Sequence, residues 1–190
     1  MLDKTLEYVE IIMRRRGNRK LRSIDLPEGF RIVMYKEGDE KDWADIESSV
    51  GEFDSSDKAL EYFKGKYLPY QDELKRRCIF IKDRKGKKIA TFTAWWEYVG
   101  NRRRPWVSWV AVKPEYQGLG IGKALVSEGT KLFTEIEGKE DIFLKTQTWS
   151  YKAINIYRKN GFRMQKRISD ESWGILDIRK ARNVLKGKLR

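Results

Sequence analysis

A chain of 190 residues, 13% aromatic and 36% charged, carries enough apolar surface for one folded domain and does not have a disordered composition. It contains no histidine and one cysteine, Cys78, which excludes His-based triads, Cys-His nucleophilic pairs, His-ligated metals, cysteine zinc clusters and an internal disulfide. The net charge is +13, but +3 of it falls in residues 1–26 and +6 in residues 179–190, where solvated charge runs are common, so nucleic acid is not the expected partner.

In chain order, Leu2, Leu6, Val9 and Met13 fall at spacings of four, three and four, which predicts a helix ending in the basic run "RRRGNRK". Residues 1–26 are therefore expected to form a basic helical extension. "FRIVMY" reads as a first strand, "DEKDWADIESSV" as a helix, and "SSDKALEYFKGKYL" as a second helix behind a capping serine. "CIFIKD" and "KIATFTAWWEYV" form a predicted hairpin, and the turn "GNRRRP" leads into "WVSWVAV". That last strand is apolar on both faces except at Ser108, which places it at the centre of a covered sheet. A glycine-rich turn then opens the helix "GKALVSEGTKLFTEI". The strand "DIFLKTQT", the helix "SYKAINIYRKN" and a final hairpin of "FRMQKRIS" and "WGILDIRK" complete the domain over residues 27–180. Residues 181–190 read as a basic tail whose removal should leave activity intact. No apolar run approaches the ~20 residues of a membrane span, so a cytoplasmic protein is expected.

The glycine turn carries the most chemistry. Gly118, Gly120 and Gly122 alternate just before a helix, where free backbone N–H groups at the positive end of the dipole can cradle a phosphate once side chains are out of the way. A Walker A loop is ruled out because Gln117 and Ala124 stand where it needs Gly and Ser/Thr. A dinucleotide fingerprint is ruled out because Lys123 stands where the third glycine belongs.

What remains is Gln-x-x-Gly-x-Gly, formed by Gln117, Gly120 and Gly122 between a central strand and a helix. This resembles the acyl-CoA pyrophosphate loop of the GNAT superfamily of N-acetyltransferases. A second stretch, "SYKAINIYRKNGF", is similar to the family's Asn-x-x-Ala-x-x-x-Tyr-x-x-x-Gly-Phe pattern at Ala153, Tyr157, Gly161 and Phe162, with Ser150 in place of Asn.

The resemblance spans about residues 30–180 and implies the α/β GNAT fold, a mixed sheet of six to seven strands flanked by helices. Its central strands splay to admit acetyl-CoA, with no metal involved. It implies that the backbone of Val110, Ala111 and Val112 pairs with pantetheine, and that an N–H near Val110 stabilises the oxyanion. The N–H groups of Gly118, Leu119, Gly120, Ile121, Gly122 and Lys123 would hold the pyrophosphate beside Gln117 and Ser150. Tyr157 is the expected general acid. Residues 106–109 lack the glutamate many members carry there, which leaves Glu97 as the candidate base.

The acceptor implied is a primary amine of a small molecule or protein, and a homodimer through sheet edges is compatible with the family. Arginines 102 to 104, if they border the site, would favour an acceptor bearing carboxylate or phosphate. The competing reading is a non-catalytic acyl-CoA-binding module, or a nucleic-acid or ribosome-associated platform on the same fold.

Overall fold

The computed structural model describes residues 2–165 and 178–189. Seven strands form one open sheet in the order β2-β3-β4-β5-β6-β1-β7. The strands are β1 (Glu10–Arg15), β2 (Arg31–Met34), β3 (Cys78–Lys82), β4 (Lys88–Val99), β5 (Arg102–Val112), β6 (Ile142–Gln147) and β7 (Arg163–Met164). Helices α1 (Glu40–Ser49), α2 (Ser56–Lys66), α3 (Gln71–Arg77), α4 (Ile121–Glu137), α5 (Tyr151–Lys159) and α6 (Ile178–Val184) flank it. β2 to β5 run antiparallel to their neighbours, whereas β5 and β6 are parallel. Two cores result. One lies under α4 and α5 and takes Val110 and Val112, and the other is the aromatic layer under α1 and α2, centred on Trp43, Phe63, Tyr67 and Trp95.

The predicted N-terminal helix is not formed. Glu10–Arg15 is instead strand β1, antiparallel to β6 along its whole length, from Glu10 opposite Gln147 to Arg15 opposite Ile142. Ile11, Ile12 and Met13 are buried in succession, as expected of a strand covered on both faces, and their contiguity outweighs the helical spacing of Leu2, Leu6, Val9 and Met13. The upstream residues are tied to the domain as well. Trp149 Nε1 donates to the Leu6 carbonyl at 2.7 Å, and the Val9 N–H donates to Thr148 Oγ1 at 3.0 Å.

The basic C-terminal segment is likewise anchored rather than solvated. Ala181 and Leu185 are buried in the larger core, and Lys180 and Lys188 pair with Glu7 and Asp3 at 2.6 and 3.6 Å, so opposite charges at the two ends meet. Leu185→Ala should therefore lower stability by about 2–5 kcal/mol, the usual cost of emptying a buried leucine site. Urea unfolding followed by circular dichroism would check this. A midpoint equal to that of the parent would mean the segment does not pack. Of the predicted final hairpin, Arg163–Met164 is a strand and residues 178–180 open α6, while residues 166–177 lie outside the described residues.

Cys78 heads β3 fully buried, and burial pushes its thiol up to about 12 despite a hydrogen bond from Thr93 and one shared with Thr91. It is a packing residue of the aromatic core. No described helix is long and apolar enough to cross a membrane.

Candidate active site

The site lies where β5 and β6 part. They pair only at Trp106 with Phe143 and Val107 with Leu144 among the described residues. Beyond Val107, β5 keeps its partner on the β4 side, with Val110 opposite Phe92, Ala111 opposite Thr91 and Val112 opposite Ala90. β6 meanwhile keeps β1 on its far side. The strands therefore diverge without unravelling, because each retains one ladder. The register of β4 and β5 shifts between Phe92 and Thr93, where Trp109 is inserted as a bulge with φ 61°. Bulges bend and twist a strand locally, which aims the 110–112 edge into the gap. Trp109 is held in this unusual conformation by packing on Phe53 at 4.8 Å and Tyr62 at 5.5 Å.

Two connected clefts open on this gap. The narrower, about 270 Å³, runs along Val110, Ala111 and Val112 to Gln117, Gly118, Gly120, Gly122 and Lys123, with Ile156 and Tyr157 opposite. The wider, about 570 Å³, lies on the other side of the bulge against Glu47, Glu52, Tyr62, Glu97 and Trp109, with Lys145 and Gln147 across from them. Val110, Glu52, Ser150, Ala153 and Tyr157 line both. A ligand held along the first cleft thus presents its end to the second.

The glycine turn has the backbone its sequence requires. Gly118 and Gly120 have φ of 87° and 88°, and Gly120 caps α4 from a left-handed conformation that other residues adopt at a cost. Gly122 serves a different purpose: a Cβ there would come within 3.3 Å of Ile156 Cδ1, so its absence lets α4 approach α5. Gln117 Nε2 donates to the Val112 carbonyl at 2.8 Å, pinning the turn to the strand end. Leu119 is exposed at the tip, and Ile121 is buried as the first helical anchor. Helix geometry leaves the N–H groups of Ile121 and Gly122 without an intrahelical carbonyl, whereas the Lys123 N–H donates to the Gly120 carbonyl at 3.0 Å. The turn can thus hold an anion with fewer N–H groups than the sequence implied.

Ser150 precedes α5, but its side chain makes no capping hydrogen bond there. Tyr157 sits on the buried face of α5, 7% exposed, with its ring 5.9 Å from Phe162. Burial, and secondarily Glu47 and Glu52, push its phenol upward, so it stays protonated through the physiological range. Glu97 lines the wider cleft and accepts from Lys66 Nζ at 2.6 Å. The arginines at 102 to 104 line neither cleft. They begin β5 at the far end of the hairpin, where Arg103 makes a two-pronged pair with Glu137, both contacts 2.9 Å, and stacks over Trp96 at 4.7 Å. The expected bias toward an anionic acceptor therefore has no support in the geometry. Among the described residues no cluster of His, Cys, Asp or Glu could hold a metal ion.

The model of the Acetyltransferase (GNAT) family matches residues 41–162, from α1 through Phe162. The chain belongs to this family. A curated N-alpha-acetyltransferase of Sulfurisphaera tokodaii is 37% identical over 54 residues, 28% of this chain and 32% of that protein. Among solved structures, a GCN5-related N-acetyltransferase from Sphaerobacter thermophilus superposes with a TM-score of 0.67 at 17% identity, covering 84% of this chain and 49% of the other. Glucosamine-6-phosphate N-acetyltransferase from Arabidopsis thaliana gives 0.54 at 20% identity, covering 77% and 99%. At these identities the structural likeness speaks for the fold, and this GNAT chain spans about a third of the curated relative and about half of the Sphaerobacter protein. The superpositions support the α/β fold built on this chain's seven-stranded open sheet.

Proposed function

We propose that this GNAT protein transfers an acetyl group from acetyl-CoA to a primary amine. The observation that carries the reading is the edge of β5 at residues 110–112, which has no strand partner on the β6 side among the described residues and is continuous with a left-handed glycine turn at a helix N-terminus. An extended pantetheine arm adds to that edge as a strand would, and the turn receives the pyrophosphate. The thioester then lies at Val110, beside the bulge and beneath Tyr157, where the narrow cleft meets the wide one. A backbone N–H there stabilises the oxyanion as the amine attacks.

Tyr157 donates a proton to the departing thiolate. The desolvation that raises its own affinity for the proton also raises that of the sulfur, so the transfer remains matched. Gln117 orders the turn, and Ser150 and Ala153 form the wall opposite the strand edge. The test is to incubate the protein with acetyl-CoA and a panel of primary amines while following free thiol and acetylated product by mass spectrometry. Equal appearance of thiol and acetyl-amine supports the reading. Acetyl-CoA binding without transfer to any amine would favour an acyl-CoA-binding module.

A further inference from the structure

We infer that Glu47 is the general base, the group that receives the acceptor's ammonium and removes its proton. The inference rests on the acetyl-transfer reading above and adds a residue to it. Glu47 lies on α1, one turn after Trp43, and both belong to the buried face that α1 presents to the aromatic core. It is fully buried and lines the wide cleft, yet neither carboxyl oxygen has a hydrogen-bond partner. Buried carboxylates are nearly always paired, because an isolated one costs several kcal/mol, and an unpaired one at a cleft wall is positioned for a ligand.

The other carboxylates of the cleft differ from Glu47. Glu97 accepts from Lys66 at 2.6 Å, and Glu52 is exposed to solvent. The cleft that Glu47 lines has Tyr62, Trp106 and Trp109 in its wall. Such a wall favours an organic cation by its ring faces and excludes the water that would otherwise solvate the charge. Burial first, and then Glu52, raise the Glu47 carboxyl well above its ordinary range, which makes it a stronger base than a surface glutamate. The same apolar surroundings lower the acceptor's ammonium, so the two proton affinities converge. Tyr67 and Tyr157 feel the Glu47 charge, and Lys4, Tyr8, Glu52, Tyr62, Glu97 and Lys145 are the other titratable groups facing the cleft.

The proton balance closes with these two residues. The ammonium gives one proton to the Glu47 carboxylate, directly or through one water, and the free amine forms the N–C bond at the thioester carbonyl. Collapse breaks the C–S bond, and the thiolate takes the Tyr157 proton. The Tyr157 phenol is restored by the second proton of the acylated nitrogen, and Glu47 returns its proton to solvent. The sum is ammonium plus acetyl-CoA giving amide, CoA thiol and one proton.

The experiment compares Glu47→Gln, Glu47→Asp and Glu97→Gln with the parent, using n-butylamine and a pentapeptide with a free α-amine as acceptors. Without a base only the free amine reacts. At pH 7 that is roughly a tenth of an α-amine of pKa about 8, and less than about a thousandth of an alkylamine near 10.4. Glu47→Gln should therefore lose about 10-fold in kcat/KM with the peptide and up to about 10³-fold with butylamine, and acetyl-CoA affinity should be unchanged. Its pH profile should keep rising to the acceptor's own pKa, where the parent levels off at that of Glu47. Glu47→Asp should keep the early plateau at reduced rate, and loss of the plateau in Glu97→Gln with its retention in Glu47→Gln would move the base role to Glu97.

Stability supplies the folding control. A carboxyl raised on folding binds more protons in the native state, so it costs stability as pH climbs from the unfolded range of about 4.3 through the folded value. Glu47→Gln should match the parent at acid pH and exceed it at alkaline pH. Equal losses with both acceptors, or a parent-like pH profile in Glu47→Gln, overturns the inference alone. If the parent transfers acetyl to neither acceptor, the acetyl-transfer reading falls and the base assignment with it.

Discussion

Tyr157→Phe is expected to lower kcat by roughly 10- to 1,000-fold and to leave the Kd for acetyl-CoA nearly unchanged. A positioned general acid contributes ~10² to 10⁴, and a thiol of pKa near ~8.5 leaves more readily than an alcohol or amine, so the loss lies toward the lower end. The phenol is buried where both clefts meet, and its ring packs on Phe162 at 5.9 Å. Phenylalanine keeps that ring and its volume, so packing and stability should survive the change. Only the hydroxyl is lost. Single-turnover rates with saturating acceptor isolate the chemical step from product release. Parent-like single-turnover rates in Tyr157→Phe would reduce Tyr157 to a packing residue.

The second large effect is expected at the glycine turn, where Gly120→Asp should weaken CoA binding by well over tenfold, more than ~1.4 kcal/mol. Two contributions separate cleanly. Gly120 has φ 88°, so any side chain adds backbone strain, of which aspartate tolerates more than most residues. Space in the free protein is not limiting, since a Cβ at Gly120 meets only Pro27 Cγ at 3.9 Å. The dominant loss is therefore a carboxylate set against the pyrophosphate at a helix N-terminus. Gly118→Ala is the companion variant, with φ 87° and nothing within 4 Å of its Cβ, and isolates the strain without the charge. Calorimetry should show a clearly smaller loss for Gly118→Ala than for Gly120→Asp. Unchanged CoA affinity in Gly120→Asp would remove the turn from the site.

What the sequence revealed follows from how local each constraint is. The glycine turn was legible because left-handed backbone and close helix approach both demand glycine, and the demand is written at Gly118, Gly120 and Gly122 themselves. The central position of β5 was legible because burial on both faces leaves an apolar run broken only at Ser108. β1 was not, because Leu2, Leu6, Val9 and Met13 satisfy a helical period while the deciding fact, its pairing with β6 some 130 residues away, is nonlocal. The bulge at Trp109 left no trace either, since a left-handed tryptophan is imposed by its neighbours and not by its own preference.

Glu47 was hidden among the acids of "DEKDWADIESSV". A signal was nonetheless present. It stands four residues after Trp43, next to Ile46 and three before Val50, so it is a carboxylate on the apolar stripe of its helix rather than on the wet face. Arg103 taught the opposite lesson. A run of arginines reads as an anion site, but Trp96 on the adjoining strand and Glu137, distant in sequence, claim the middle one for packing between the β4–β5 hairpin and α4.

The most direct test of the account is to record backbone amide NMR shifts of the whole protein as CoA is added. Saturable shifts are expected, largest at Val110, Ala111 and Val112 and from Gly118 through Gly122, because those backbone groups carry the ligand. No saturable shifts up to millimolar CoA, or shifts confined to the basic surface formed by Arg158, Arg163 and Arg182, would contradict it.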